Sequence, residues 1–210
     1  MEARIIVSFD IGVKNLAVSV LRVWDSNPNA QCLLWKIISL AGQNEKIPVL
    51  NELTGRLYME LDNLVVEIDA HGQVDTVLLE NQPSRLNGSM KSIQMLIYGY
   101  FQLRRHWEGH VKHVQMISAA KKLVGHPHET LVPATDKTGY ELNKWKAIQL
   151  ASLYVSNCPV LQGVLAGYKK KDDLADALLQ GISWLRKHGA DIHQVYGTKE
   201  DDGAMMDDHA

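Results

Sequence analysis

The chain has 210 residues, of which 46% are hydrophobic and 22% are charged, and its formal net charge is −2. This composition excludes a disordered chain and a fibrous one, and the length fits one globular domain that buries a core. Two cysteines are too few for a disulfide framework, so we expect both to be reduced thiols in the core.

Three strands are predicted at the start of the chain, over residues 4–10, 16–23 and 31–40. Apolar positions then recur at helical spacing over residues 48–70, and a short apolar strand follows at 75–80. The first of these strands is apolar enough to be buried on both faces, which is typical of a central strand.

The second half of the chain reads as a helix over residues 90–107 and a strand over 113–118. A long irregular segment, 124–140, precedes two closing helices, 141–156 and 172–188. A three-stranded meander followed by strand–helix units predicts an α/β fold with a mixed five-stranded sheet flanked by helices.

The C-terminal residues differ in charge from the rest of the chain. Residues 199–210 carry one Lys against five acids, which leaves 21 basic and 19 acidic side chains, or +2, for residues 1–198. We therefore expect one domain over 1–190 and an acidic, disordered tail over 191–210. A body charge of +2 does not by itself indicate a nucleic-acid partner.

Carboxylates stand at positions where the apolar pattern does not predict them. Asp10 and Glu80 each end an apolar strand, and the last helix begins with Asp172, Asp173 and Asp176. The spacings i,i+3 and i,i+4 allow either Asp173 or Asp172 to share a helix face with Asp176. If the first and fourth strands are neighbours and the last helix packs across their ends, these acids converge.

Converging carboxylates repel one another unless a cation neutralises them. Carboxylate and water oxygens are the ligands that Mg²⁺ and Mn²⁺ prefer, and two such ions about 3.5–4 Å apart promote phosphodiester hydrolysis. The alternatives are local: Asp10 could be a turn residue before Gly12, and Asp172 and Asp173 could favour the positive end of a helix dipole.

Three segments together resemble the RuvC-like Holliday junction resolvases of the RNase H superfamily, most closely the poxvirus and yeast mitochondrial branch. These segments are SFDIGVKNLA, LLENQPSRLNGSMKSIQMLIYGYF and KKKDDLADALLQG, and the resemblance spans about residues 4–187. It implies an RNase H-like fold, a homodimer, and an endonuclease that places symmetric paired nicks in four-way junctions and related branched DNA. It also implies two Mg²⁺ ions per site, with Mn²⁺ as a possible substitute.

The resemblance assigns the metal ligands by position. Asp10 is the ligand on the first strand, Glu80 the ligand on the fourth strand, and Asp176 the final helical acid. Asp173 is its partner, with Asp172 as the alternate ligand, because related sequences use either spacing. With no membrane span or targeting segment predicted, the expected location is the cytoplasm or a viral replication site.

DNA contacts are expected from polar residues near the acids, because phosphate contacts position a substrate without reading its bases. Each candidate could instead be an ordinary solvated side chain. They are Lys14, Asn15, Gln82, Arg85, Asn87, Lys91, Lys121, Lys122, Lys144, Lys146, Lys169, Lys170 and Lys171. The resemblance implies that a lysine after the fifth strand, here Lys121 or Lys122, lies near the scissile phosphate. We interpret His126 and His128 as exposed loop residues.

Two other classes remain open. An actin, Hsp70 or sugar-kinase type ATPase also begins with a strand ending in Asp-x-Gly, but the further glycine-rich phosphate loop of that class is missing here, so no nucleotide cofactor is expected. A non-catalytic nucleic-acid-binding module of the YqgF type keeps the fold without the chemistry. A missing acid would favour that module, and no acid is missing.

Overall fold

The computed structural model describes residues 3–42, 44–82, 88–118, 122–123, 126 and 137–198. Its strands are β1 (Ala3–Asp10), β2 (Leu16–Trp24), β3 (Asn29–Ile38), β4 (Val74–Glu80), β5 (Val111–Ile117) and β6 (Gln194–Tyr196). Its helices are α1 (Leu50–Asp69), α2 (Gly88–Leu103), α3 (Gly139–Tyr154), α4 (Pro159–Gly167) and α5 (Lys171–Lys187). A π-helical turn, Arg104–Glu108, extends α2.

The strands form one mixed sheet in the order β5-β4-β1-β2-β3-β6. β1, β2 and β3 pair antiparallel as a meander, while β4 pairs parallel to β1 and β5 parallel to β4. The predicted mixed sheet is confirmed, and β1 and β4 are neighbours as the argument for converging acids requires. β1 and β4 lie in the interior of the sheet because their apolar side chains are covered on both faces.

The predicted number of strands is wrong, because the sheet has six strands and not five. β6 pairs parallel to β3 and places Val195 in the core, within the segment 191–210 that the sequence predicts as a tail. Three residues are too few for an alternating pattern to stand out. Helix α4 was also not predicted, although Pro159 at its first turn is a typical start signal.

Each face of the sheet carries its own core. Alternate β1 residues Ile5, Val7 and Phe9 pack with α1 and α2, whereas Ile6 packs with α3, α4 and α5. Side chains of a strand alternate between the two faces, so Ser8 and Asp10 point to the same side as Ile6. The acid of β1 therefore faces the layer that contains α5.

Two expectations from composition can be compared with the fold directly. Cys32 and Cys158 both lie buried in the core, as predicted. Among the helices that the structure describes, none combines the length and the apolar composition needed to cross a membrane.

Candidate metal and nuclease site

The site begins at the ends of two adjacent parallel strands. The β1–β4 register pairs Phe9 with Leu79, so the next residues along the two strands, Asp10 and Glu80, stand side by side. Leu78 belongs to the core beneath α5, and the alternation along β4 therefore turns Glu80 toward the same face as Asp10. Both carboxylates are 9% exposed.

The turn after β1 is tight at Gly12. A side-chain carbon at this position would lie 2.5 Å from the backbone oxygen of Asn15, which is closer than van der Waals contact allows. Glycine therefore permits the chain to fold back into β2 directly beyond Asp10.

Helix α5 packs closely over the sheet and brings a third carboxylate to this place. A side-chain carbon at Gly181 would lie 3.3 Å from Leu21 and 3.6 Å from Ser8, so glycine allows the close approach. The Gln180 amide donates hydrogen bonds to Ser8 Oγ at 3.0 Å and to the Phe9 carbonyl at 3.1 Å. These contacts hold α5 against the strand that carries Asp10, and Asp176 lies one turn before them.

The three carboxylates meet at the ammonium of Lys122. Its Nζ lies 2.9 Å from Asp10 Oδ1, 2.8 Å from Glu80 Oε2 and 2.8 Å from Asp176 Oδ2. Lys122 is 8% exposed, so the solvated-surface alternative for this residue is wrong. The three carboxylates bind one buried cation here, and the same oxygens would also bind a single hard cation of higher charge.

The pKa values of Asp10 and Glu80 are shifted in opposite directions. Burial and the hydrogen bond with Glu80 raise the pKa of Asp10 well above its usual range, although the Lys122 charge opposes this shift. Burial would also raise the pKa of Glu80, but the hydrogen bond from Asp10 and the charge of Lys122 lower it overall. Asp10 is therefore the more readily protonated of the two carboxyl groups, and Glu80 is the more readily ionised.

The pKa values of Asp176 and Lys122 are both raised. Burial raises the pKa of Asp176 despite the neighbouring ammonium. Burial alone would lower the pKa of Lys122, but the charges of Asp10, Asp176 and Glu80 raise it well above the usual value. Lys122 is consequently charged at physiological pH, and its positive charge compensates part of the negative charge of the three carboxylates.

The two adjacent acids at the start of α5 have different surroundings. Asp172 forms an ion pair with Lys144, which holds its pKa below the usual value against the effect of burial. Burial and the charges of Asp172 and Asp176 raise the pKa of Asp173 to about 6. Asp173 is therefore the acid of this pair whose negative charge is poorly compensated.

The raised pKa of Asp173 predicts a pH dependence of stability. Between its unperturbed value of 3.8 and about 6, the folded state retains a proton that the unfolded state has released, so the free energy of unfolding falls as pH rises. Asp173→Asn should reduce this slope, which urea unfolding at several pH values with a chelator would measure. Asp62→Asn is the control, since Asp62 lies on α1 at the other face of the sheet, and its pKa is lowered so that its contribution changes below this window. An unchanged slope in Asp173→Asn would contradict the assignment.

The donor set is suited to a hard divalent cation. Asp10, Glu80 and Asp176 each place an oxygen within 2.9 Å of one point, and the site offers neither sulfur nor imidazole among its described ligands. Among the described residues, no three acidic, His or Cys side chains are already arranged as a metal-binding group. In this structure the Lys122 ammonium stands at the shared point, so a metal ion there must displace it.

The polar residues predicted to contact DNA lie on several elements around the acids. Lys169 and Lys170 are exposed immediately before α5, and Lys171 begins that helix beside Asp172 and Asp173. Lys144, which pairs with Asp172, and Lys146 are half-buried on α3, and Lys14 and Asn15 are half-buried in the turn after β1. Gln82 and Lys91 both bind Gln94 of α2. Arg85, Asn87 and Lys121 lie outside the described residues.

The sequence did not predict the polar cluster that contacts the main-chain carbonyl of Lys122. His126, predicted to be exposed, is 6% exposed and contacts Tyr154, Ser183 and the Lys122 carbonyl. A histidine between Gly and Pro carries no periodic signal of burial. His128 lies outside the described residues.

Solved structures with the same fold come from a virus, a mitochondrion and a bacterium. The fowlpox virus resolvase, solved with Holliday junction DNA, is 19% identical with a TM-score of 0.56, covering 88% of this chain and 99% of its own. The yeast mitochondrial Holliday junction resolvase is 16% identical with a TM-score of 0.57, covering 86% and 78%. Thermus thermophilus RuvC in complex with a Holliday junction substrate is 14% identical with a TM-score of 0.52, covering 89% and 97%. The fold of this chain is therefore RNase H-like.

Relatives by sequence include an uncharacterised protein, L451, of Acanthamoeba polyphaga mimivirus. It is 32% identical over 64% of this chain, and this chain spans 34% of its length. The family model described as Poxvirus A22 protein matches residues 4–188, which is nearly the whole described domain. The chain belongs to the Poxvirus A22 protein family.

Proposed function

We propose that this protein is a structure-selective DNA endonuclease that resolves four-way junctions by paired nicks. The observation that carries the proposal is the meeting of Asp10, Glu80 and Asp176 at one point within 2.9 Å. Carboxylates from two strand ends and one helix form a site for divalent cations on a fold whose solved examples include junction resolvases.

Mg²⁺ is the cofactor that these residues are suited to hold, and Mn²⁺ prefers the same oxygen ligands. Asp10, Glu80, Asp173 and Asp176 are the proposed ligands. Two ions held by them would activate a water molecule and stabilise the leaving oxygen of the phosphodiester. The buried positions of Asp10 and Glu80 on β1 and β4, and the packing of α5 against the sheet, keep the carboxylates in a fixed geometry, which in-line displacement requires.

Lys122 has two roles in this proposal. In the metal-free protein its ammonium binds three carboxylates and compensates part of their charge, and this contact would be lost if metal ions took the same oxygens. A lysine carries its charge on a flexible four-carbon side chain, so the displaced ammonium can bind a phosphate oxygen next to the acids. There it stabilises the negative charge that develops as the bond breaks.

DNA binding is assigned to the lysines around the start of α5. Lys169, Lys170 and Lys171 lie beside the acids, where phosphate groups must approach for cleavage. Lys14, Lys91 and Lys146 extend the basic positions on the neighbouring elements. A homodimer would present two such sites, and its two-fold symmetry matches a junction with two equivalent strands to cut.

Purified protein incubated with a labelled four-way junction tests the function. We expect paired nicks with Mg²⁺ or Mn²⁺, none with a chelator, and no comparable cleavage of a matched linear duplex. Tight junction binding without cleavage under all metal conditions would instead indicate a non-catalytic binding module. Equal cleavage of an RNA–DNA hybrid would indicate a ribonuclease.

The choice between Asp173 and Asp172 is open to a direct comparison. Asp173→Asn should lower the single-turnover cleavage rate by about a hundredfold, because it removes a proposed ligand. Asp172→Asn should lower it less than about tenfold, because the carboxylate of Asp172 binds Lys144. The reverse order of effects would make Asp172 the ligand.

A further inference from the structure

A buried polar network binds the main chain of Lys122. The Ser183 hydroxyl donates to the Lys122 carbonyl at 3.0 Å, and His126 Nε2 lies 2.8 Å from the same oxygen. His126 Nδ1 lies 2.9 Å from the Tyr154 hydroxyl, which accepts a hydrogen bond from Arg186 at 2.9 Å. None of these four side chains has a role in the proposed metal site.

The hydrogens of this network can be assigned from its chemistry. A carbonyl oxygen only accepts, so His126 Nε2 must carry the hydrogen that points to Lys122. The Arg186 guanidinium only donates, so the Tyr154 hydroxyl accepts from it. His126 Nε2 also lies 2.8 Å from the Ser183 hydroxyl, so one network joins Arg186, Tyr154, His126, Ser183 and the Lys122 carbonyl. Hydrogen bonds in such a chain polarise and strengthen one another.

Helix α5 holds Lys122 at both ends. Ser183 lies seven residues after Asp176, which places the two side chains two turns apart on the same face. Asp176 binds the Lys122 ammonium, and Ser183 binds the Lys122 carbonyl. The lysine is therefore fixed to the same rigid element that supplies a proposed metal ligand.

We infer that His126 and Ser183 are positioning residues that hold the Lys122 backbone so that its ammonium reaches the reacting phosphate. The effect on cleavage rests on the proposed nuclease function, whereas the contacts that hold the Lys122 backbone do not depend on it. A lysine side chain has several rotatable bonds, so a free backbone would let the ammonium spread over many positions. Anchoring the carbonyl limits where the ammonium can go once it leaves the carboxylates.

Chemical labelling tests the placement of Lys122 independently of nuclease activity. The full-length, metal-free protein would be acetylated with an N-hydroxysuccinimide ester, and the rate at Lys122 measured by mass spectrometry against the exposed Lys187. The buried ion pairs should make Lys122 slow in the wild type. Ser183→Ala and His126→Ala should each raise its rate by about tenfold, since each removes a bond to the Lys122 carbonyl.

Conservative and matched variants separate positioning from general loosening. His126→Gln and Ser183→Thr keep a donor for the Lys122 carbonyl and should preserve the slow rate. Ser19→Ala is the control, because Ser19 is a buried serine that also donates at 3.0 Å to a carbonyl of α5, that of Ala177. It removes the same kind of bond without touching Lys122, and its Lys122 rate should equal that of the wild type.

Cleavage kinetics add a second readout. Ser183→Ala should lower the single-turnover rate by about tenfold while the junction dissociation constant stays unchanged. In a Lys122→Met background the same substitution should have no further effect, because the residue through which Ser183 acts is already gone. Ser19→Ala should have the same small effect in both backgrounds.

The outcomes are distinct. Faster labelling in the two alanine variants, with protection kept in the conservative variants, supports the inference. Unchanged labelling in both alanine variants overturns it, and so does an equal loss of cleavage rate with and without Lys122. A wild-type protein that cuts no junction refutes the proposed function, while labelling still decides whether His126 and Ser183 hold Lys122.

Discussion

Asp10→Asn is expected to lower the junction cleavage rate by at least about a thousandfold and to leave junction binding within about threefold of the wild type. Asparagine keeps the size and shape of the side chain but removes the charge that a divalent cation requires. Asp10 is not among the residues assigned to DNA binding, so we expect the affinity for the junction not to depend on its carboxylate.

Single-turnover cleavage with Mg²⁺ and gel-shift titration with a chelator measure the two effects separately. Asp25→Asn is the matched control, because Asp25 is an exposed acid after β2 that pairs with Arg4 at the opposite end of the strands. The control should cleave at the wild-type rate. If Asp10→Asn loses binding together with cleavage, the separation of the catalytic and DNA-binding roles is wrong.

Lys122→Met is expected to affect both stability and cleavage. Removing the ammonium leaves the buried carboxylates of Asp10 and Glu80 and the half-buried one of Asp176 without their counter-charge, which should lower the free energy of unfolding of the metal-free protein by about 3–5 kcal/mol. The loss should be smaller at low pH, where Asp10 and Asp176, whose pKa values are already raised, take up protons. Saturating Mg²⁺ should restore much of the stability because it supplies a cation to the same oxygens.

The cleavage rate of Lys122→Met should fall by about a hundredfold even with saturating Mg²⁺, because the phosphate loses a positive partner. Urea unfolding with chelator and with Mg²⁺ measures the first effect, and single-turnover cleavage measures the second. Lys36→Met is the control, since Lys36 forms a surface ion pair with Glu67 at 2.6 Å and should contribute less than about 1 kcal/mol. A Lys122 variant as stable as this control would contradict the role of the ammonium in the site.

Long periodic segments made much of the fold predictable. The continuous apolar runs of β1 and β4 and the helical spacing in α1 and α5 each extend over enough residues to stand out from chance. β6 was missed because a three-residue strand is defined by its pairing with β3 and not by a pattern of its own. Helix α3 starts at Gly139, inside the predicted irregular segment and two residues before the predicted start of that helix.

The sequence by itself determined which acids are out of place. Asp10 and Glu80 end apolar strands, and Asp173 and Asp176 share a helix face, because strand and helix periods assign side chains to faces without any tertiary information. It could not distinguish Asp172 from Asp173, since both spacings place an acid near Asp176. That distinction depends on Lys144, which lies on α3 and binds Asp172.

Only the tertiary structure decided the burial of Lys122 among the carboxylates and the burial of His126. Lys122 lies 112 residues from Asp10 and 54 from Asp176 along the chain, yet its ammonium contacts both carboxylates. Contacts between residues so far apart leave no periodic trace in the sequence, because they arise from packing between elements and not from the spacing of residues within one element.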